Sequence, residues 1–187
     1  MTTNHIMKEA TAYHEAAHAV LALTIPLEIV KITINPEEDS EGSYEGGCEV
    51  DLKGFFNISL NNIRNASIEL IKFHLAGKIA EQKYFQEKSI DPNSMLKNSA
   101  CYDNAQVEYY IKTNYDNGEI PIELNIVSEE TSKKVNTPEI WSAIRDLAGI
   151  LVQARQLEEN NLTRALAPIF VGLNLADCKF RDGGRGA

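Results

Sequence analysis

The chain has 187 residues, of which 43% are hydrophobic, enough for one domain with a buried core. Its formal charge of -9, with no block of basic residues, argues against a nucleic-acid partner. The three cysteines are far apart and form no CxxC pair, which argues against disulfides or a cysteine zinc knuckle and favours the cytoplasm. Along the chain, no apolar run approaches the roughly 20 residues that cross a bilayer, so neither membrane insertion nor a signal peptide is predicted.

The first half of the chain predicts a helix, a small sheet and a second, longer helix. Apolar residues recur at helical spacing over about residues 6–23, and Pro26 closes this helix. Segments 29–34 and 47–52 have the composition of strands and predict a small antiparallel sheet. A helix with a serine cap, Ser59, is predicted to run to about residue 85 and to form much of the core.

The second half predicts three further helices. The first covers about residues 99–113 and is followed by an irregular segment that contains Gly118. A threonine followed by Pro138 begins the next helix, predicted over 138–158, because proline suits the first helical position. A tight break separates it from the last helix, over 161–173.

These elements predict a mainly α fold with a small antiparallel β-sheet, in the α+β class. Neither an internal repeat nor a low-complexity segment marks a second domain, so residues 1–175 are predicted to form a single one. Residues 176–187 contain too little apolar surface to pack and are predicted to be a flexible tail.

The motif HEAAH, at residues 14–18, indicates a metal site. Residues four apart lie on one helix face, so His14 and His18 can both bind one zinc ion. Glu15 is rotated by about 100° around the helix from His14, where it can reach a water activated by the ion. The ion would lower the pKa of this water toward about 7, and Glu15 would take its proton as the general base. Two histidines alone would favour an ordinary helix, but the glutamate between them favours metal.

A catalytic zinc needs a third protein ligand and an open position, and the residues alone do not identify that ligand. Candidates are His5, His74, Glu81, Asp91, Cys101, Asp103 and Asp116. His74 lies on an apolar helix face, which favours a packed core histidine. Cys101 is interpreted as a small buried hydrophobic residue, and Trp141 as a core or interface anchor.

Four segments in order resemble the zinc peptidase domain of the FtsH family of membrane-bound AAA proteases. They are HEAAHAV, VKITINP, HLAGKIAEQKYF and SACYDNAQ. The corresponding family segments are HEAGHA, a strand similar to VTIIPRG, GGRxAEE and SNDxxxA. The resemblance covers residues 10 to about 110, and the two closing helices are similar in length and place.

The resemblance implies a zincin-like peptidase fold and assigns roles to five residues. His14 and His18 would be the histidine ligands of zinc, Glu15 the base and Asp103 the third ligand. Glu81 matches the first acid of the AEE segment, which implies a carboxylate that orients a ligating histidine.

The chain also departs from the family pattern. Ala17 replaces a glycine, which is harmless in a helix because alanine is the better helix former. Tyr102 replaces an asparagine, and the segment after Asp103 is shorter, so the substrate groove is expected to differ more than the metal site. The sequence contains no GxxxxGK[ST] loop and no membrane helix, so it predicts neither an ATPase nor an anchor.

The sequence therefore predicts a zinc metalloendopeptidase that cuts flexible or unfolded polypeptides without ATP. An extended substrate would pair with an edge strand, at 47–52 or at 29–34. Candidate partners besides the substrate are a separate ATPase or further copies of the chain. One alternative is a regulatory module that binds peptides or an ATPase with little turnover, and another is a metal enzyme that acts on a non-peptide bond. Glu15 favours the enzyme, because a binding module has no physical need of it.

Overall fold

A computed structural model describes residues 3–25, 27–36, 44–53, 55, 63–91 and 101–173. In chain order, the elements are α1 (Thr3–Leu23), β1 (Glu28–Pro36), β2 (Tyr44–Asp51), α2 (Ile63–Glu87), α3 (Cys101–Asp116), α4 (Leu124–Val135), α5 (Pro138–Ala154), β3 (Gln156–Glu158) and α6 (Glu159–Gly172). The predicted mainly α fold with a small antiparallel sheet is confirmed. Within the described ranges, none of the helices has both the length and the apolar character needed to cross a membrane.

The three described strands form one antiparallel sheet in the order β2-β1-β3. Strand β1 is central, and its Ile32 pairs with Cys48 of β2 on one side and with Leu157 of β3 on the other. The 29–34 strand is therefore not a free edge at Ile32, and that alternative was wrong. Ile32 and Ile34 are fully buried and attach the sheet to the helices.

Helix α1 lies at the centre of the molecule because its side chains are small. Six fully buried alanines line it, at positions Ala10, Ala12, Ala16, Ala17, Ala19 and Ala22. Small residues let neighbouring elements approach closely, and α1 packs against α2, α5 and the two long strands. The HEAAH motif is therefore held on several sides.

Helix α2 lies between α1 and α3. One of its faces packs on α1, and another forms a second hydrophobic cluster with α3 and α4. Leu70, Phe73 and Tyr110 belong to this cluster. The backbones of α1 and α3 hardly approach each other directly, so α2 sets the position of one helix relative to the other.

The second half of the chain differs most from its prediction. Helix α4 forms where an irregular segment was predicted, and it buries only Val127, Thr131 and Val135. This narrow stripe includes a threonine, so its apolar period is weak. Helix α5 begins at Pro138 as predicted but ends at Ala154, and the short strand β3 follows it where the sequence predicted helix.

The turn from α5 into β3 passes through Arg155, which has a positive φ of 63°. This conformation is outside the helical region and ends the helix. Trp141 is buried in the main core as predicted, and its ring nitrogen donates a hydrogen bond to Glu87. The predicted helix stop at Pro26, the cap at Ser59 and the tail at 176–187 lie outside the described residues.

Candidate metal centre

Three predicted ligands come together at one point between α1 and α3. His14 and His18 from α1 and Asp103 from α3 place one ligand atom each within 4.8 Å of one another. The Oδ2 atom of Asp103 lies 3.0 Å from His14 Nε2 and 3.3 Å from His18 Nε2. Both histidines are buried, with 5% and 4% of their surface exposed. The structure thus assembles these three residues, while the ion itself stays a prediction.

Each imidazole ring is oriented through its second nitrogen. His18 Nδ1 lies 2.7 Å from the carbonyl oxygen of Phe73, so this nitrogen must donate its proton to that oxygen. In the neutral ring, the lone pair then lies on Nε2, which faces Asp103. His14 Nδ1 faces Oε2 of Glu81 at 3.5 Å, an ion-pair distance longer than a good hydrogen bond. Glu81, 2% exposed, therefore lies where the resemblance implied a carboxylate that orients a ligating histidine.

The meeting point of these atoms suits a cation. Two imidazole nitrogens and a carboxylate oxygen all offer lone pairs, and lone pairs face each other stably only when a positive charge lies between them. A proton on His14 is one such charge. Burial opposes it, but the hydrogen bond with Asp103 and the nearby Glu81 carboxylate outweigh burial and raise the pKa of His14 to about 10. Burial likewise opposes ionisation of Asp103, but its histidine neighbours lower the pKa of this carboxyl well below the ordinary value.

Gly77 of α2 leaves the room that an ion would need. A Cβ atom added there would lie 2.5 Å from Nε2 of His14 and 2.5 Å from Nε2 of His18. Any other residue at this position would therefore fill the space in front of both nitrogens. This gap and the donor set of two imidazoles and one carboxylate fit zinc, which accepts both ligand types.

Glu15 lies next to this group and against the sheet. Its side chain is 5% exposed, and a Cβ atom added to Gly46 of β2 would come 2.4 Å from its Oε1. Burial raises the pKa of Glu15, although the nearby histidines His14 and His18 lower it. A buried carboxylate with a raised pKa is a stronger base than an exposed one, as a general base near neutral pH must be.

His74 has a contact that the sequence analysis did not anticipate. His74 is buried, as predicted for a packed core histidine, and its Nδ1 also lies 2.9 Å from Oδ1 of Asp103. A signal was present, because His74, Gly77 and Glu81 recur at helical spacing and so share one face of α2. His74 faces Asp103, Glu81 faces His14, and Gly77 lies beside both histidines.

The other candidate ligands are not placed at this site by the described part of the structure. His5 faces Glu9 at 3.5 Å, and Asp116 pairs with Lys112 at the far end of α3. Asp91 is exposed beyond the end of α2, and the side chain of Cys101 lies outside the described part of the structure. Burial raises the pKa of the Cys48 thiol on β2, so this neighbour of Glu15 remains neutral.

The two carboxylates near the histidines should respond differently to removal. Asp103→Ala should cost most of the zinc, because it removes the carboxylate that faces both Nε2 atoms. Glu81→Ala should weaken zinc affinity by about 10- to 100-fold while the metal stays detectable, because Glu81 acts only on the far side of His14. Zinc per chain after dialysis, together with chelator competition, measures both effects. Full zinc in Asp103→Ala, with none in Glu81→Ala, would show that Glu81 is the ligand and that Asp103 is not.

A scan against protein-family models found no match for the chain, and a search of curated proteins found no match either. The likeness to the FtsH peptidase domain thus depends on the four sequence segments. The geometry of His14, His18 and Asp103 is a separate basis for inferring what the chain does.

Proposed function

We propose that the chain is a zinc-dependent metalloendopeptidase that hydrolyses peptide bonds of flexible or unfolded polypeptides, with a zincin-like fold related to the FtsH peptidase domain. The convergence of His14, His18 and Asp103 on one point, with the buried Glu15 beside it, is the observation that carries the proposal. The cysteine pattern further favours a cytoplasmic site of action.

The residues divide between holding the metal and doing acid–base work. His14, His18 and Asp103 would hold zinc through three protein ligands, the number typical of catalytic rather than structural sites. Bound zinc would polarise the scissile carbonyl and make a water molecule more acidic. Glu15 would accept the proton of that water and then donate it to the leaving amine. The chemistry therefore needs Glu15 ionised before the reaction and protonated halfway through it.

Strand β2 supplies a surface for the substrate backbone. Among the described strands it pairs with β1 alone, so one of its edges has backbone groups available for a further strand. Gly46 of this strand lies directly against Glu15. A polypeptide that pairs in extended form with the edge of β2 would therefore pass close to the base. Folded proteins rarely offer such an extended segment, which makes unfolded chains the preferred substrate.

The decisive test compares one substrate protein in two states. The zinc-loaded chain, without ATP, should cleave a permanently unfolded, reduced and alkylated protein at least about 100-fold faster than its disulfide-bonded native form. Unfolding a stable domain costs a free energy of about 5 to 15 kcal/mol, so the native form rarely exposes extended segments. Fragment formation on gels measures both rates. Adding ATP should change neither of them.

Three outcomes would reject parts of this proposal. Equal rates on the native and unfolded forms would contradict binding as an extended strand. Stoichiometric zinc and peptide binding without any cleavage would instead identify the chain as the regulatory module described above. A chelator that removes zinc without lowering the cleavage rate would show that another site, or a contaminant, cuts the substrate.

A further inference from the structure

We propose that His74 is a positioning residue that leaves Asp103 with a single oxygen for the metal. The proposal rests on the proposed function in that it takes Asp103 to be a zinc ligand. An ionised carboxylate can only accept hydrogen bonds, so at 2.9 Å the His74 Nδ1 must donate its proton to Oδ1 of Asp103. The other oxygen, Oδ2, faces His14 and His18.

The two oxygens of Asp103 therefore have separate partners. This arrangement fixes the rotation of the carboxylate about its terminal bond, which is otherwise soft. An aspartate free to rotate could bind an ion through both oxygens and occupy one more coordination position. With Oδ1 turned toward His74, Oδ2 is the oxygen that faces the two histidines and would bind the metal, and the remaining positions are kept for water and substrate.

His74 is itself held firmly enough for this role. The ring is 8% exposed and stacks on Tyr110, with centroids 5.9 Å apart and planes inclined by 25°. It also meets the ring of Phe73 edge-on at 4.9 Å. These contacts come from α2 and α3, the helix that carries His74 and the helix that carries Asp103.

Helix α2 thus supplies one partner for each of the three metal-facing residues. Glu81 faces His14, the carbonyl of Phe73 accepts from His18, and His74 donates to Asp103. Partners of this kind orient ligands and raise metal affinity. His74 completes the set for the one ligand that does not come from α1.

Two substitutions separate the hydrogen bond from the packing of the ring. His74→Phe keeps an aromatic ring against Tyr110 but removes the donor. His74→Asn keeps an N–H close to the position of Nδ1 but removes the ring. The probe is Co²⁺ in place of zinc, because its visible absorption bands respond to the number and geometry of its ligands. Zinc affinity by chelator competition is the second measurement.

His74→Phe should lower zinc affinity by about 10- to 100-fold and change the shape and intensity of the Co²⁺ bands. His74→Asn should bring both back close to the wild type. Unchanged affinity and bands in His74→Phe would overturn the proposal. So would His74→Asn with the same loss as His74→Phe, because packing alone would then explain both. If His74→Phe fails to fold by circular dichroism, His74→Leu takes its place with the same expected result.

These measurements also separate this proposal from the proposed function. Wild-type protein that binds Co²⁺ but cleaves no peptide rejects the peptidase and leaves the His74 effect measurable. Wild-type protein that binds neither Co²⁺ nor zinc rejects both.

Discussion

Replacing Glu15 by glutamine should abolish peptide cleavage while zinc remains bound. The amide has the shape of the carboxylate but cannot accept a proton from water. Loss of a general base costs about 10²- to 10⁴-fold in rate, so kcat on an unfolded substrate should fall by at least that amount. Zinc should stay at one per chain, since His14, His18 and Asp103 are untouched.

The matched control for this substitution lies on the same helix. Glu9 accepts a hydrogen bond from Tyr84 at 2.6 Å and is grouped with neither the histidines nor Asp103. Glu9→Gln removes the same charge from α1 and should leave kcat within about twofold of the wild type. Cleavage by Glu15→Gln at the wild-type rate would exclude Glu15 from the mechanism.

A change on β2 should disturb the same carboxylate without altering it chemically. In Gly46→Ala the new methyl group would meet Oε1 of Glu15 at 2.4 Å, so the carboxylate must move. The neighbouring Gly47→Ala places its methyl 3.6 Å from Thr33 Oγ1, which is ordinary contact. We expect kcat to fall in the first variant and not in the second, with zinc bound in both.

Gly77→Ala should prevent zinc binding and destabilise the fold. The added methyl would lie 2.5 Å from both Nε2 atoms, and the two imidazoles are buried and cannot swing out of the way. Helices α1 and α2 must then separate, and overpacking of this kind costs about 1 to 3 kcal/mol. Alanine regains at most about 1 kcal/mol through its helix propensity. Zinc per chain and urea unfolding of the metal-free protein measure the two effects.

Gly149 provides the control, because it also lies within a helix, α5. A Cβ atom there meets nothing within 4 Å, so Gly149→Ala should be neutral or stabilise the protein by up to about 1 kcal/mol. A Gly77→Ala protein with one zinc per chain and wild-type stability would show that the ion does not lie between the two histidines and α2.

The part of the site that the sequence predicted is local. His14, Glu15 and His18 lie within five residues on one helix, so their relative placement follows from helical geometry alone. Asp103 is 89 positions from His14, and only the resemblance to a known family singled it out. The main helices and the antiparallel pair of strands likewise have periodic patterns that can be recognised without the fold.

The parts that were missed depend on contacts between distant segments. Strand β3 has only three residues and exists because it pairs with β1, more than 120 residues earlier in the chain. The contact of His74 with Asp103 depends on where α3 places the aspartate. The apolar neighbours of His74 on α2 are those of an ordinary core position, and only its helical spacing with Gly77 and Glu81 indicated that it shares a face with them.

Because α1 and α3 are separate helices, an ion bound between them would also affect the local stability of α3. Two of its ligands belong to α1 and the third to α3, and these helices are joined mainly through α2. A bound ion would be a removable cross-link between segments far apart in the chain, so the local opening of α3 would become linked to metal supply. Each tenfold rise in free zinc above its dissociation constant would add about 1.4 kcal/mol to the cost of that opening. Slow amide exchange in α3 would then be a property of the loaded protein, and zinc depletion would loosen this helix before the alanine-lined centre of the molecule.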